Sequence, residues 1–165
     1  MARLAVVSDT HIPERADAIP DSFREHLRSA DHVIHAGDFT TAAVHEDLTD
    51  LADGNLTAVV GNMDPQNLDL PSVGTLEVED RTFVVTHGTG SLHEYEERVA
   101  RIVREEGGED AIGVAGHTHE VVDTTVDGIR LLNPGSCTGA APATARTMLT
   151  VDIAGADLDV TVHEQ

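Results

Sequence analysis

Five short apolar runs constrain this chain more than any other feature: LAVV (4–7), HVIHA (32–36), LTAVV (56–60), FVVTH (83–87) and AIGVA (111–115). Each has the length of a buried strand, and helical patterns fill the gaps between several of them. That alternation is the signature of a layered α/β domain. A first helix opens at SFRE, where Ser22 and Glu25 fit a capping box and Phe23, Leu27 and Ala30 mark one face. A second covers roughly 41–52, with Val44, Leu48, Leu51 and Ala52 together and Asp53-Gly54 ending it. A third runs from about 92 to 106. Ser91 and Glu94 form its capping box, Tyr95, Val99, Ile102 and Val103 face inward, and Gly107 stops it.

The remaining segments alternate apolar and polar residues, as antiparallel strands do. TLEVEDRTFVVTH reads as a hairpin turning near Asp80, and VVDTTVDGIRLL turns at Asp127-Gly128. MLTVDIAGADLDVTVH reads as a last hairpin about its AGAD centre. A mixed sheet, or two packed sheets with helices outside, accommodates all of these elements. With no linker, repeat or low-complexity tract in 165 residues, the expectation is one domain over 1–165.

Aromatic residues are only 2% of the chain, so Val, Leu, Ile and Ala must fill the core. Thirty acidic residues face ten basic ones, all arginine, for a formal charge of −20. Such a surface repels itself unless salt screens it. At ~1 M salt the Debye length falls to about 3 Å. The acidic residues are spread along the chain rather than gathered in a patch, which points to a halophilic protein rather than to a basic partner. One cysteine, Cys137, excludes an internal disulfide and fits a reduced cytoplasm. No apolar run approaches the length of a membrane span.

The polar residues at the end of each apolar run carry the chemistry. The first run leads to Asp9 and His11, the second to Asp38, the third to Asn62 and Asp64, the fourth to His87, and the fifth to His117 and His119. In open α/β sheets the ligand crevice lies beyond the carboxyl ends of the strands, so these groups should gather on one rim. His117 and His119 are two residues apart, and in an extended segment such residues face the same way. Oxygen and nitrogen donors without a thiolate suit Mn²⁺, Fe or Zn²⁺. Asp9, His11, Asp38, Asn62, His87, His117 and His119 make seven donors, more than one ion takes, and fit two divalent ions roughly 3.5–4 Å apart, the arrangement used for attack at phosphorus. His117 and His119 would then serve different ions. His26, His32, His45 and His163 are expected on the solvated surface.

With these motifs in order, the chain resembles the calcineurin-like metallophosphoesterases. Their D-x-H, G-D, G-N-x-[DE], H and G-H-x-H series stands here as Asp9-x-His11, Gly37-Asp38, Gly61-Asn62-Met63-Asp64, His87 and Gly116-His117-Thr118-His119. The NPGS at Asn133–Ser136 is similar to that of the compact YfcE-type phosphodiesterase branch. The resemblance implies a four-layer αββα sandwich with two mixed sheets. It also implies two divalent ions, Mn²⁺ first, with Fe, Zn²⁺ or Ni²⁺ as alternatives. One ion would take Asp9, His11, Asp38 and His119, and the other Asp38, Asn62, His87 and His117. A bridging hydroxide would attack in line, with Asp38, Asn62 and His87 as catalytic residues. Many relatives carry histidine where Met63 stands, placed to protonate the leaving group, and a positioned acid contributes about 10²–10⁴-fold. Asp64 or a metal-bound water would have to substitute. His35 would support Asp38 or the phosphate from behind, or pack in the core, and Ser136 would bond near the rim or merely belong to a turn.

The resulting expectation is a metal-dependent phosphodiesterase acting on a small phosphoester. A phosphomonoesterase, a non-catalytic interaction scaffold like the retromer subunit that shares this fold, and a nucleotide-binding regulator without turnover are the alternatives. Bulk nucleic acid is disfavoured, because there is no basic stripe or aromatic platform. A membrane is not an expected partner, and a homo-oligomer is compatible with the sequence.

Overall fold

The computed structural model describes residues 1–165. Two five-stranded mixed sheets pack face to face, and helices cover both outer faces. In the first sheet β1 (Ala2–Val7), β2 (His32–His35) and β3 (Leu56–Ala58) run parallel. In the second, β4 (Val73–Val78) and β5 (Arg81–Thr86) form the expected hairpin, and β6 (Ile112–Val114) lies parallel to β5. Strands β7 (Val121–Val126) and β8 (Ile129–Pro134) form the hairpin at Asp127-Gly128, and β8 runs parallel to β6. Strands β9 (Thr147–Ala154) and β10 (Asp157–Glu164) complete the first sheet beside β1. This is the expected four-layer αββα sandwich.

The apolar runs are continuous because their strands are buried on both faces. Leu4 and Val6 of β1 point into the inter-sheet core with Ile34, Phe83, Val85, Ile112 and Leu132. Their neighbours Ala5 and Val7 point outward beneath α1 (Asp21–Ser29) and α2 (Ala42–Leu51), against Phe23, Leu27, Val44 and Leu48. On the opposite face α3 (Tyr95–Gly107) lays Tyr95, Val99 and Val103 onto Val84, Ile129 and Leu131. No helix is long and apolar enough to cross a membrane.

Neither expected capping box forms. Pro20 takes the N-cap of α1, so Ser22 falls inside the first turn and its hydroxyl makes no cap bond. Proline suits a helix start, since its fixed φ needs no reorganisation and it has no N–H to satisfy. Helix α3 starts at Tyr95, later than expected. Arg98 donates to the carbonyls of Gly88, Thr89 and Ser91, which winds residues 88–91 against the helix. Ser91 Oγ therefore accepts from the His93 N–H, a local turn rather than a box.

Candidate metal centre

The carboxyl ends of β1, β2, β3, β5 and β6 converge at one end of the sandwich, and the structure brings all seven expected residues together there. Asp9, His11, Asp38, His87 and His119 form a buried floor, each 7% exposed or less. Asn62 is exposed and His117 half-buried, and together they make the lip. The first sheet supplies Asp9, His11, Asp38 and Asn62, and the second supplies His87, His117 and His119.

Backbone geometry sets these side chains in a way the strand pattern did not foretell. Asp9, His11, Asp38, His117 and His119 all have left-handed backbones, with φ of 54°, 45°, 64°, 75° and 63°. Such conformations cost of order 1–3 kcal/mol each and persist only where the surroundings over-determine them. The extended GHTH edge expected from the sequence is thus corrected: the segment is an irregular loop. Its two imidazoles still part company. His119 stands beside His11 with ring centroids 5.0 Å apart, and His117 meets His87 edge-on at 5.2 Å.

Hydrogen bonds hold each loop in place. Asp9 N–H donates to Gly37 O and His11 N–H to Asp38 O, tying the loops after β1 and β2 together. Asp64 accepts from the N–H groups of Asp38, Thr40 and Gly61 at 2.8–2.9 Å. Its carboxylate is therefore a brace, with both oxygens accepting backbone N–H groups. Ser136 Oγ donates to Asp9 O, and Asn133 donates to Gly116 O and Thr118 Oγ1, so NPGS does support the rim. His35 is fully buried and stacked on Phe39, and its Nδ1 accepts from Gly37 N–H at 3.0 Å. It fixes the Gly37-Asp38 turn from behind, so the packing and supporting roles are one.

The ring tautomers follow from these bonds. His87 Nδ1 donates to Ala36 O at 2.7 Å, His119 Nδ1 to Ala140 O at 2.8 Å and His117 Nε2 to Gly90 O at 3.0 Å. Each leaves its other nitrogen facing the cluster, as carbonyl-bonded metal-binding histidines do. His87 Nε2 is 2.9 Å from Asn62 Oδ1 and 3.2 Å from Asp38 Oδ2, and His119 Nε2 is 3.3 Å from Asp9 Oδ1. His11 Nε2 lies 3.4 Å from Asp38 Oδ2. Asp38 Oδ2 therefore sits between the rings of His11 and His87, while its Oδ1 accepts from Met63 N–H at 2.7 Å.

Electron pairs converge here without enough protons to match them. Asp9 Oδ2 is used by Ser8 Oγ and His117 N–H, but its buried Oδ1 and both ring nitrogens of His11 have no hydrogen-bond partner. Asp9 with His11 and His119, and Asp9 with Asp38 and His87, form two groups whose donor atoms lie within 4.8 Å of one another. Burial opposes charge at Asp9, yet the imidazoles of His11, His119 and His87 outweigh it and hold the carboxyl below its usual range. At His87 burial opposes protonation, but Asp38 and Asp9 outweigh it and raise the pKa; at His119 Asp9 does the same. The cluster attracts positive charge, and its donor set fits divalent cations.

Residues 2–156 match the family model of the calcineurin-like phosphoesterase superfamily domain. The chain belongs to the calcineurin-like phosphoesterases. A probable metallophosphoesterase of Methanocaldococcus jannaschii is 36% identical over 82% of this chain and 68% of its own length. A phosphodiesterase of the same organism is 29% identical over 83% of this chain and 85% of its own. The crystal structure of Chaetomium thermophilum Vps29 superposes with a TM-score of 0.83, covering 100% of this chain and 97% of that one at 19% identity. That likeness speaks for the phosphoesterase fold alone.

Sequence reading missed several supports of this phosphoesterase site. Ser8 is buried beside Asp9, and Tyr95, the only tyrosine, donates its hydroxyl to Gly116 O at 2.5 Å. A lone tyrosine on a buried helix face was the available signal, because its hydroxyl needs an acceptor. The four other expected surface histidines are half-buried rather than solvated. His26 packs on His163 at 4.1 Å, His32 bonds Thr57, and His45 meets Phe39 edge-on. Cys137 is fully buried, and burial pushes its thiol pKa up.

Proposed function

We propose that this phosphoesterase is a dinuclear-metal-dependent phosphodiesterase acting on a small phosphodiester. The observation that carries the reading is the unpartnered pair of Asp9 Oδ1 and His11 Nε2 amid inward-facing imidazoles, a pair that a cation would satisfy. Asp9, His11, Asp38 and His119 would hold one divalent ion, and Asp38, Asn62, His87 and His117 the other, with Mn²⁺ the first candidate. Bound there, the pair supplies Lewis acidity that neutralises phosphate oxygens and makes a nucleophile available near neutral pH.

The residues do the rest. Asp38, pinned through Oδ1 by Met63 N–H, keeps Oδ2 aimed between His11 and His87. His87, held by Ala36 O, and Asn62, on the exposed lip, present the face a phosphate would meet. Met63 is 42% exposed where many relatives carry histidine, and it brings no proton. With Asp64 committed to three N–H groups, the site favours esters whose leaving group needs little protonation. The charge of −20 is read as adaptation to concentrated salt, and a cytoplasmic location fits the single buried thiol.

The test is Mn²⁺-dependent hydrolysis of bis-p-nitrophenyl phosphate in multimolar KCl, with Asp38→Asn as control. Turnover in the wild type that is lost in the variant is the expected result. A folded protein that binds two ions without turnover would favour the interaction scaffold. Absence of metal binding would remove the ligand assignment.

A further inference from the structure

Seven of the ten arginines are committed elsewhere. Arg3, Arg24, Arg28, Arg104 and Arg130 pair with Asp152, Asp47, Glu25, Glu109 and Asp123. Arg81 and Arg98 donate to backbone carbonyls of loops. Arg15, Arg101 and Arg146 are all exposed, and Arg101 stands alone on α3. The two that remain, Arg15 and Arg146, line one cavity of about 480 Å³ together with Thr138. Asp17 and Asp21 also line it, yet neither guanidinium has a carboxylate oxygen within 4.0 Å. In a chain with three acidic residues for each basic one, two arginines in one cavity without a carboxylate partner are unexpected.

The cavity adjoins the metal centre through Arg15. Its N–H donates to His11 O at 2.9 Å, closing the turn that leaves the cluster. Its Nη1 donates to Ala141 O at 2.9 Å, while His119 Nδ1 donates to the preceding carbonyl, Ala140 O. Arg15 thus bonds His11 directly and reaches His119 through the adjoining Ala140–Ala141 carbonyls, linking loops of different sheets. One Nη1 bond leaves most of its five N–H donors free. Arg146 Cγ lies over Gly139, 3.1 Å from where a side chain would begin, in the loop that Thr138 ties to Thr10 O.

We infer that Arg15 and Arg146 form a cationic subsite that binds a second phosphate of the substrate, beside the His11–His119 end of the centre. This rests on the phosphodiesterase reading above and gives it a substrate class: phosphodiesters that carry an additional terminal phosphate. A surface of net charge −20 repels such a polyanion at long range. Concentrated salt screens that repulsion, but forked Arg–phosphate hydrogen bonds act at contact and survive it. Two arginines outside ion-pair distance of any carboxylate supply that contact.

The experiment compares two substrates with the same scissile bond and leaving group, thymidine 5′-(p-nitrophenyl phosphate) with and without a 3′-phosphate. Mn²⁺-loaded wild type in multimolar KCl should prefer the 3′-phosphorylated substrate by about tenfold to hundredfold in kcat/KM, through KM. Arg15→Gln with Arg146→Gln should abolish the preference, Arg15→Lys should keep part of it, and Arg101→Gln should keep it whole. Equal kcat/KM for both substrates in wild type, or a preference that persists in the double variant, overturns the subsite. If neither substrate turns over, the phosphodiesterase reading fails and calorimetry on the metal-free protein decides the subsite. Thymidine 3′,5′-bisphosphate binding more tightly than thymidine 5′-phosphate, in a manner lost with both arginines, supports it. Equal binding overturns it.

Discussion

Asp64 receives the backbone N–H of Asp38 at 2.9 Å, so the placement of one carboxylate depends on another that never faces the cluster. The same side chain takes the N–H groups of Thr40 and Gly61. Asp64→Ala strands all three donors, and an unsatisfied buried group costs about 1–3 kcal/mol. Expected are a lower unfolding midpoint and a loss of Mn²⁺ affinity of about 10–100-fold, as for other partners of metal ligands. Calorimetric titration and thermal unfolding check both. A variant with unchanged affinity would mean that Asp38 holds its place without the brace.

His11 separates stability from function. Its two ring nitrogens are buried without a hydrogen-bond partner among the protein's own groups. His11→Leu removes that penalty, so the metal-free variant should unfold at or above the wild-type midpoint. Wild type should gain about 2.7 kcal/mol at metal concentrations a hundredfold above Kd, and the variant far less. Urea titrations with and without Mn²⁺ give the four numbers needed. A destabilised metal-free variant would contradict the orphaned state of the ring.

A methyl group at Gly116 would overlap Ser8 Oγ and lie 2.7 Å from Asp9 Oδ2. Gly116→Ala should therefore displace Asp9 and cost about 1–3 kcal/mol, as overpacking does. Mn²⁺ affinity should fall along with stability. Gly128→Ala serves as the contrast: a side chain there meets nothing within 4 Å, although φ is +84°. It should lose stability and keep its metal.

Burial lowers the pKa of His35 from the ordinary 6.5 to about 3. The unfolded chain then binds a proton below pH 6.5 that the folded chain refuses, so stability falls as pH drops through this window. The slope is about 1.4 kcal/mol per pH unit. In His35→Asn, whose side-chain oxygen can still accept from Gly37 N–H, that contribution should vanish. Urea midpoints of the metal-free proteins between pH 7 and 4 (roughly the accessible part of the window) report the difference. Parallel pH dependences would show that His35 is charged in the fold.

Salt supplies the remaining prediction. Stability of the metal-free protein should climb with KCl while the Debye length shrinks to about 3 Å near ~1 M, and flatten beyond. Sucrose at matched osmolality should not reproduce the early rise. A flat response to KCl would sink the reading of the charge as salt adaptation.

The rim was legible because buried parallel strands are written as unbroken apolar runs, and the first polar residues after each run land at the strand end. Asp9, Asp38, His87 and the GHTH pair were all found in that way. The left-handed backbones of Asp9, His11, Asp38, His117 and His119 were not, since local pattern favours extended chain after a strand and only tertiary bonds select the alternative. Nor could sequence tell whether Asp64 is an acid or a brace, because that depends on which N–H groups the fold brings to it. The capping boxes at Ser22 and Ser91 failed for a related reason. Pro20 in one case and the Arg98 bonds in the other decide where the helix begins. Arg15 meets Ala141 across 126 residues, a distance no local rule spans.

Four of the seven clustered side chains come from one sheet and three from the other. If β5 slid by one residue against its neighbours, every side chain of the set would still exist, but His87 would no longer meet Asp38. The meeting of the two sheets is thus registered chemically at one end of the sandwich, to within the length of a hydrogen bond. Circular permutants, fragments and shuffled halves can keep their cores and still lack this meeting. Occupancy by a cation then becomes a direct gauge of whether two independently twisted surfaces have docked correctly.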